Sequence, residues 1–350
     1  MLRIRTIVIV LFFATLFLLS HQLLFAQTAS NPLNVTISPS YFDLTAKPGD
    51  TVENKMRVYN NSTTPIDLTV TVKKLTSDPQ TGQPVPADPT AKDEYISWLQ
   101  ITPNAFKAQP QEWTTIDFKL SVPKDAAFGY YYVIQIAPKD KSVTKGNGPQ
   151  VQGQILAALL LNVPRPGSKA SLQLVDFKPT HFVNEYMPID FTTTILNNGN
   201  IHVRPQGNIF IRNDLQKDLG VLELNPALGA ILPEGKRGFT SSWNEGFIVR
   251  EPVMENNQVK LDAKGEPVTN LKFNWNKLTD FRIGKYTASL LVVYDTGKRD
   301  QTMEATTDFW VVPYTAIGVF VVSLFLIILI VRFLIKSYVQ TQIRKHNHGK

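Results

Sequence analysis

The reagents in this chain best suited to proton transfer are two histidines, His181 and His202. Imidazole titrates near neutral pH, so a histidine beside a carboxylate or a second histidine can act as a general base. Neither residue has such a partner close by in sequence. Asp43, Asp117, Glu185 and Asp190 can be nominated for a paired-carboxylate site, yet each falls in a strand or turn pattern, where a solvated acid is the usual occupant. His346 and His348, near the end of the chain, could bind a metal or simply belong to a disordered polar tail. No HExxH, nucleophile elbow or phosphate loop occurs. There is no cysteine, which removes thiolate catalysis, cysteine-bound zinc and disulfide staples together. The residue inventory therefore points to a protein that is not an enzyme and has no cofactor.

Aromatic rings offer a different chemistry, the stacking of a flat face on a ligand. Trp98, Trp113 and Trp275 are the candidate binding residues. Tyr130 to Tyr132 and Trp243 could join such a face, although rings on alternating strands more often fill a core. Trp275 is the ring least explained by packing, because it lies in an inserted segment.

The elements that must carry these residues begin with two apolar runs. Thr315 to Ile335 is uncharged except for Arg332, and about 20 apolar residues cross a bilayer core of roughly 30 Å as a helix. Trp310 and Tyr314 precede it, where amphipathic rings favour the interface. Beyond it come Lys336, Arg344, Lys345 and Lys350 with no acid, which by the positive-inside rule keeps this end in the cytoplasm. A core helix is the competing reading. At the other end, Arg3 and Arg5, an apolar run from Ile7 to Leu19 and Leu24-Phe25-Ala26 predict a signal peptide over residues 1–26, with an uncleaved anchor as the alternative.

The net charge of +7 lies in these two ends, since 1–26 carries +2 and 314–350 carries +5. Residues 27–313 sum to zero. That balance argues against a nucleic-acid partner, which needs a basic face on the folded part.

Between the ends, Leu68, Val70 and Val72 alternate with polar residues. So do Ile116, Phe118, Leu120 and Val122, then Tyr130, Tyr132, Ile134 and Ile136. Period-two patterns predict antiparallel strands with one buried and one wet face. Asp78 to Asp93 holds Pro79, Pro84, Pro86 and Pro89 and reads as an exposed loop, while Ile155 to Leu161 is apolar on both faces and reads as a covered central strand. Lys139 to Gln150 reads as a second polar loop. Pro164 to Ser168 reads as a linker, after which the pattern restarts.

Asn60-Asn61 and Asn197-Asn198 each end a strand. Phe128-Gly129-Tyr130-Tyr131 parallels Ile283-Gly284-Lys285-Tyr286, like the tyrosine corner of immunoglobulin-like folds. The expectation is all-β: two tandem immunoglobulin-like β-sandwiches, 27–163 and 169–312, then one transmembrane helix over 313–336 and a basic cytoplasmic tail, 337–350. Glu245 to Lys277 is an insertion in the second sandwich.

With "ISPSYFDLTAKPGD", "MRVYNNSTTPIDLTV" and "SVPKDAAFGYYYVIQIAP", this layout resembles the WxL-interacting surface proteins of Gram-positive bacteria. The resemblance implies a peptidoglycan-binding first domain, a second domain that binds host or partner proteins, and a cell-membrane anchor with the ectodomain outside. The long insertion departs from that pattern and leaves partner specificity open. The function expected is an anchored binding or scaffold protein of the bacterial envelope. An accessory or chaperone-like subunit of an envelope transport or secretion complex is the alternative.

Overall fold

A computed structural model describes residues 33–139, 153–255 and 258–347. The expected signal peptide and most of the polar loop at Lys139 to Gln150 lie outside the described residues.

The period-two runs become strands of two sandwiches. In the first, one sheet has the order β1 (Val35–Ser38), β3 (Thr51–Asn60), β8 (Trp113–Ser121) and β6 (Leu99–Thr102). Its partner sheet runs β2 (Tyr41–Thr45), β10 (Ile155–Val163), β9 (Phe128–Pro138), β4 (Ile66–Ser77) and β5 (Pro84–Ala87), with β7 (Ala105–Ala108) also on β4. Met56, Ile116, Leu120, Tyr132, Ile134 and Leu159 are fully buried between the sheets.

In the second sandwich, β11 (Leu172–Pro179), β13 (Ile189–Asn197) and β16 (Lys236–Trp243) face a five-stranded sheet. That sheet runs β12 (Val183–Asn184), β22 (Asp300–Val311), β21 (Gly284–Asp295), β14 (Gln206–Asn213) and β15 (Asp218–Leu224). Trp243, Phe191 and Phe309 fill its core. The insertion forms two small ladders, β17 (Ile248–Pro252) with β20 (Thr269–Phe273), and β18 (Met254–Glu255) with β19 (Gln258–Val259).

The paired asparagine turns share one construction. Asn60 is fully buried and its Nδ2 donates to Thr64 O (2.8 Å) and Ala108 O (3.0 Å), while its Oδ1 accepts from Ser62 N (2.9 Å). Asn197, equally buried, donates to Ile201 O (2.8 Å) and Ile231 O (2.9 Å) and accepts from Gly199 N (2.8 Å). One amide thus satisfies the backbone of a tight turn in each sandwich.

The tyrosine parallel holds with a shift of one residue. Tyr286 OH bonds to Ile283 O (3.3 Å), and its counterpart is Tyr130, whose OH accepts from Ala127 N (3.0 Å). Strand alternation turns Tyr130 and Tyr132 inward and Tyr131 outward.

Two expectations about strands change. Asp78–Asp93 is not wholly loop, because β5 pairs with Lys74 to Ser77. Its prolines, 84 and 86, are two apart on an edge strand, where both donorless nitrogens can face away from the ladder. The outer face of β9 is not wet either. Tyr131, Val133, Leu160 and Leu75 are buried there against Leu232 of the second sandwich. β10 is therefore covered on both sides, on one by its own core and on the other by its neighbour.

Among the described residues a single α-helix, α1 (Tyr314–Asn347), follows β22 after Val312 and Pro313. Its stretch Tyr314–Lys336, 23 residues, is long and apolar enough to cross a membrane, and none of it is buried. It is therefore not a core helix. It also continues into the basic tail, where the sequence suggested a disordered tip.

Candidate functional site

The sequence left His202 and Asp43 without partners, and the fold brings them together. β2 and the 201–204 segment lie on opposite sides of the seam between the sandwiches. Asp43 Oδ1 is 3.2 Å from His202 Nε2, and Asp43 Oδ2 is 2.6 Å from Arg204 Nη2. The Arg204 guanidinium also lies over the Tyr41 ring and bonds its hydroxyl. Tyr131 meets the His202 ring edge-on at 5.7 Å between centroids. Burial pushes the Asp43 carboxyl up, but the His202 hydrogen bond and the charges of His202 and Arg204 outweigh it and hold the group below its ordinary range.

A general base must reach a substrate. The His202 side chain is only 8% exposed and its carboxylate partner is shared with an arginine, so this Asp–His pair works as a clasp between domains. Glu185, also nominated as a solvated acid, is buried instead. Its carboxylate takes Arg250 Nη2 at 2.9 Å and the Thr315 N–H at the start of α1 at 3.0 Å. His181 and Asp117 are exposed and Asp190 is half-buried on β13. Among the described residues no three metal-ligating side chains converge.

The three nominated tryptophans do not form one site. Trp98 ends the 3₁₀ turn Glu94–Trp98 and packs against Tyr130 (4.6 Å) and the first core, so its ring is a wall of that core. Trp275 lies in the second sandwich's insertion, 73% exposed beside Phe247 and Phe273. Trp113 stands on the outer face of the first sandwich's four-stranded sheet, 45% exposed.

That face is the candidate ligand surface. The register sets Tyr59 opposite Trp113, and their rings lie 5.1 Å apart. The Arg57 guanidinium lies over the indole at 4.8 Å from its centroid and restrains the ring by a cation–π contact. Further along the same strands, Glu53, Asn54, Lys55, Gln100, Asp117 and Lys119 line an open groove of about 620 Å³. A ring platform beside a groove of hydrogen-bonding groups suits a polar ligand with flat faces. The opposite sheet of this sandwich is covered by the second domain around Leu75, Tyr131, Val133 and Leu160, whereas the platform face carries no such contact among the described residues. Alternation at Arg57, Tyr59 and Trp113 was readable in sequence; that this face stays uncovered was not.

No protein-family model matches the chain, and no curated protein matches it. Solved structures that resemble it include the class 5 fimbriae chaperone CfaA, at 20% identity over 69% of this chain and all of that one, with a TM-score of 0.32. The SafA pilin–SafB chaperone complex of Salmonella enterica matches at 11% identity, over 80% of this chain and 99% of that one, with a TM-score of 0.34. A chaperone–tip adhesin complex of CFA/I fimbriae matches at 19% identity, over 59% and 87%, with a TM-score of 0.32. These likenesses are low in identity and in TM-score, and the sandwich fold rests on the strand topology described above.

Proposed function

We propose that this chain is a membrane-anchored, non-enzymatic binding protein of the bacterial envelope. Its first sandwich engages peptidoglycan through the Trp113 face. The supporting observation is the exposed Trp113–Tyr59 pair beside Arg57, on the same sheet face as a polar groove that starts at Lys55 and Asp117. Sugar rings present C–H faces that stack on indole. Their hydroxyls and the charged peptide stems find partners in Lys55, Asp117 and Lys119. In this reading α1 holds the sandwiches outside the cytoplasm, as in the WxL-interacting surface proteins that the sequence resembles. Single contacts of this kind are weak, and many anchored copies on one polymer strengthen them.

The test is sedimentation of the 27–313 fragment with isolated cell wall. It pellets, and Trp113→Ala moves it to the supernatant without changing its melting temperature. Trp98→Ala instead lowers stability by about 3–5 kcal/mol, the range for truncating a packed aromatic. If wild-type protein stays in the supernatant, the cell-wall reading falls.

A second reading, an accessory or chaperone-like subunit of an envelope transport or secretion complex, is favoured by β15. Among the described residues this seven-residue strand pairs with β14 alone, and Val221 on it is 57% exposed. Apart from Glu223 O, which accepts from the Ser241 hydroxyl of β16 (2.9 Å), its edge could accept a strand from a surface protein. Crosslinking from β15 to a co-purifying protein, with no retention on cell wall, would favour this reading.

A further inference from the structure

One end of the second sandwich gathers many of its exposed apolar residues, although Val175, Val221 and Leu228 lie elsewhere. β22 ends at Val311 and α1 starts at Tyr314, so the end of the sandwich where β22 stops is also where the helix begins. β21 starts there, with Gly284 opposite Val311. β16 finishes there, with Trp243 opposite Ile189 at the start of β13. The whole insertion runs between β16 and β21, so both its ends are fixed at this level. Trp275, Leu278, Phe281 and Ile283 on its returning limb are 45–73% exposed. Leu215, 87% exposed, tips the β14–β15 turn at the same end, since Asn213 pairs with Tyr286.

The helix fixes where the lipid must be. Its apolar stretch of 23 residues rises about 35 Å at 1.5 Å per residue, little more than a hydrocarbon core of roughly 30 Å. Tyr314 therefore sits at the headgroup level, and nothing longer than Val312-Pro313 separates it from the sandwich. Phe281, Arg282 and Phe247 close around Val311 and Pro313, so the insertion abuts the chain just before the helix. The connection is also clamped, because Glu185 takes Arg250 of the insertion on one oxygen and the Thr315 N–H on the other. An apolar patch held this close to a span, with Lys277 among its rings, has the composition of an interfacial segment, where aromatics sit among headgroups and lysines reach phosphate.

We propose that this end of the second domain is a lipid-seating surface: Trp275, Leu278, Phe281 and Ile283 enter the headgroup layer of the bilayer that α1 crosses. The proposal rests on α1 spanning that bilayer. Seating the patch, with Glu185 joining insertion and helix, holds the ectodomain at one tilt and stops it swinging about Val312-Pro313.

The absence of native cysteine makes single-cysteine reporters clean. Leu278→Cys, Leu326→Cys in the span and Thr63→Cys in the first domain are each labelled with an environment-sensitive fluorophore. Each full chain is then reconstituted in phosphatidylcholine vesicles containing lipids with a nitroxide at a chosen depth. The label at 278 should shift to the blue and lose most of its emission to a shallow nitroxide. The label at 326 should respond to a deep one, and that at 63 to neither. If 326 is quenched and 278 is not, the seating surface is refuted with the span intact. If 326 is not quenched either, the span reading fails and the proposal goes with it. A blue shift at 278 that follows protein density and ignores nitroxide would mean a second copy covers the patch, which also overturns the proposal.

Discussion

The Asp43 carboxylate lies 3.2 Å from His202 Nε2, and this contact joins the two sandwiches across their seam. Asp43→Asn keeps the shape and removes the charge that Arg204 also uses. The expected outcome is a looser elbow in the 27–313 fragment, read as a larger radius of gyration and faster cleavage at 164–168. Because the Asp43 pKa is lowered on folding, its contribution is present above the ordinary carboxylate value and is lost as pH falls through the lower folded one. Acid should therefore loosen wild type toward the variant. Identical scattering of the two proteins at neutral pH would show that the clasp does not hold the domains.

Gly82 and Gly265 separate a turn requirement from a contact requirement. Both have left-handed φ, +69° and +82°. A Cβ on Gly265 meets open space, whereas one on Gly82 would stand 1.5 Å from the Lys236 carbonyl oxygen across the seam. Gly265→Ala should cost about 1–2 kcal/mol, the penalty for a side chain in that region. Gly82→Ala should cost more and also push the domains apart. Equal losses in denaturant titrations would mean the β4–β5 turn does not press on the second domain.

The asparagine turns predict matched damage in two places. Asn60→Ala and Asn197→Ala each take a donor from one buried and one half-buried carbonyl, at about 1–3 kcal/mol for a group left unsatisfied. Hydrogen exchange should accelerate in the first sandwich for one variant and in the second for the other. If one substitution is tolerated, the repeat is one of sequence pattern only.

Asp93 sets an acid-sensitive latch under the β5 edge. A hydrogen bond from Lys74 and others from the Thr90 N–H and hydroxyl lower its pKa from 3.8 to about 2. A lowered value stabilises the fold above the ordinary pKa, and the gain disappears as pH falls through the folded one. The stability gap between wild type and Asp93→Asn should be constant near neutrality and shrink between about pH 4 and pH 2. A gap that does not change over that window would remove Asp93 as the latch.

Sandwich class, strand positions and the apolar C-terminal segment were legible in the sequence because they depend on periodicity and run length, which are local. The seam was not. Tyr131, Val133 and Leu160 look like ordinary strand residues, and only the second domain explains why the outer face they share is apolar. His202 found its carboxylate on β2, far away in sequence, where spacing rules carry no information. Trp98 and Trp113 are alike as letters, and strand alternation with a neighbouring 3₁₀ turn sends one to the core and leaves the other on the surface. The edge strand β5 was hidden by its prolines, which mark a break in a central strand but are tolerated at an edge.

The short passage from β22 into α1 has a mechanical consequence. A pull on the first domain enters the second at the start of β11 and leaves at the end of β22, at opposite ends of the sandwich. β22 is paired with β21 along its whole twelve residues. Tension along that strand loads the ladder in shear, so many backbone bonds share the force and must fail together. The seam between the sandwiches, held by a few side chains, would yield first and lengthen the molecule. A two-sandwich chain built this way gives before it breaks, and reels back when the load is gone.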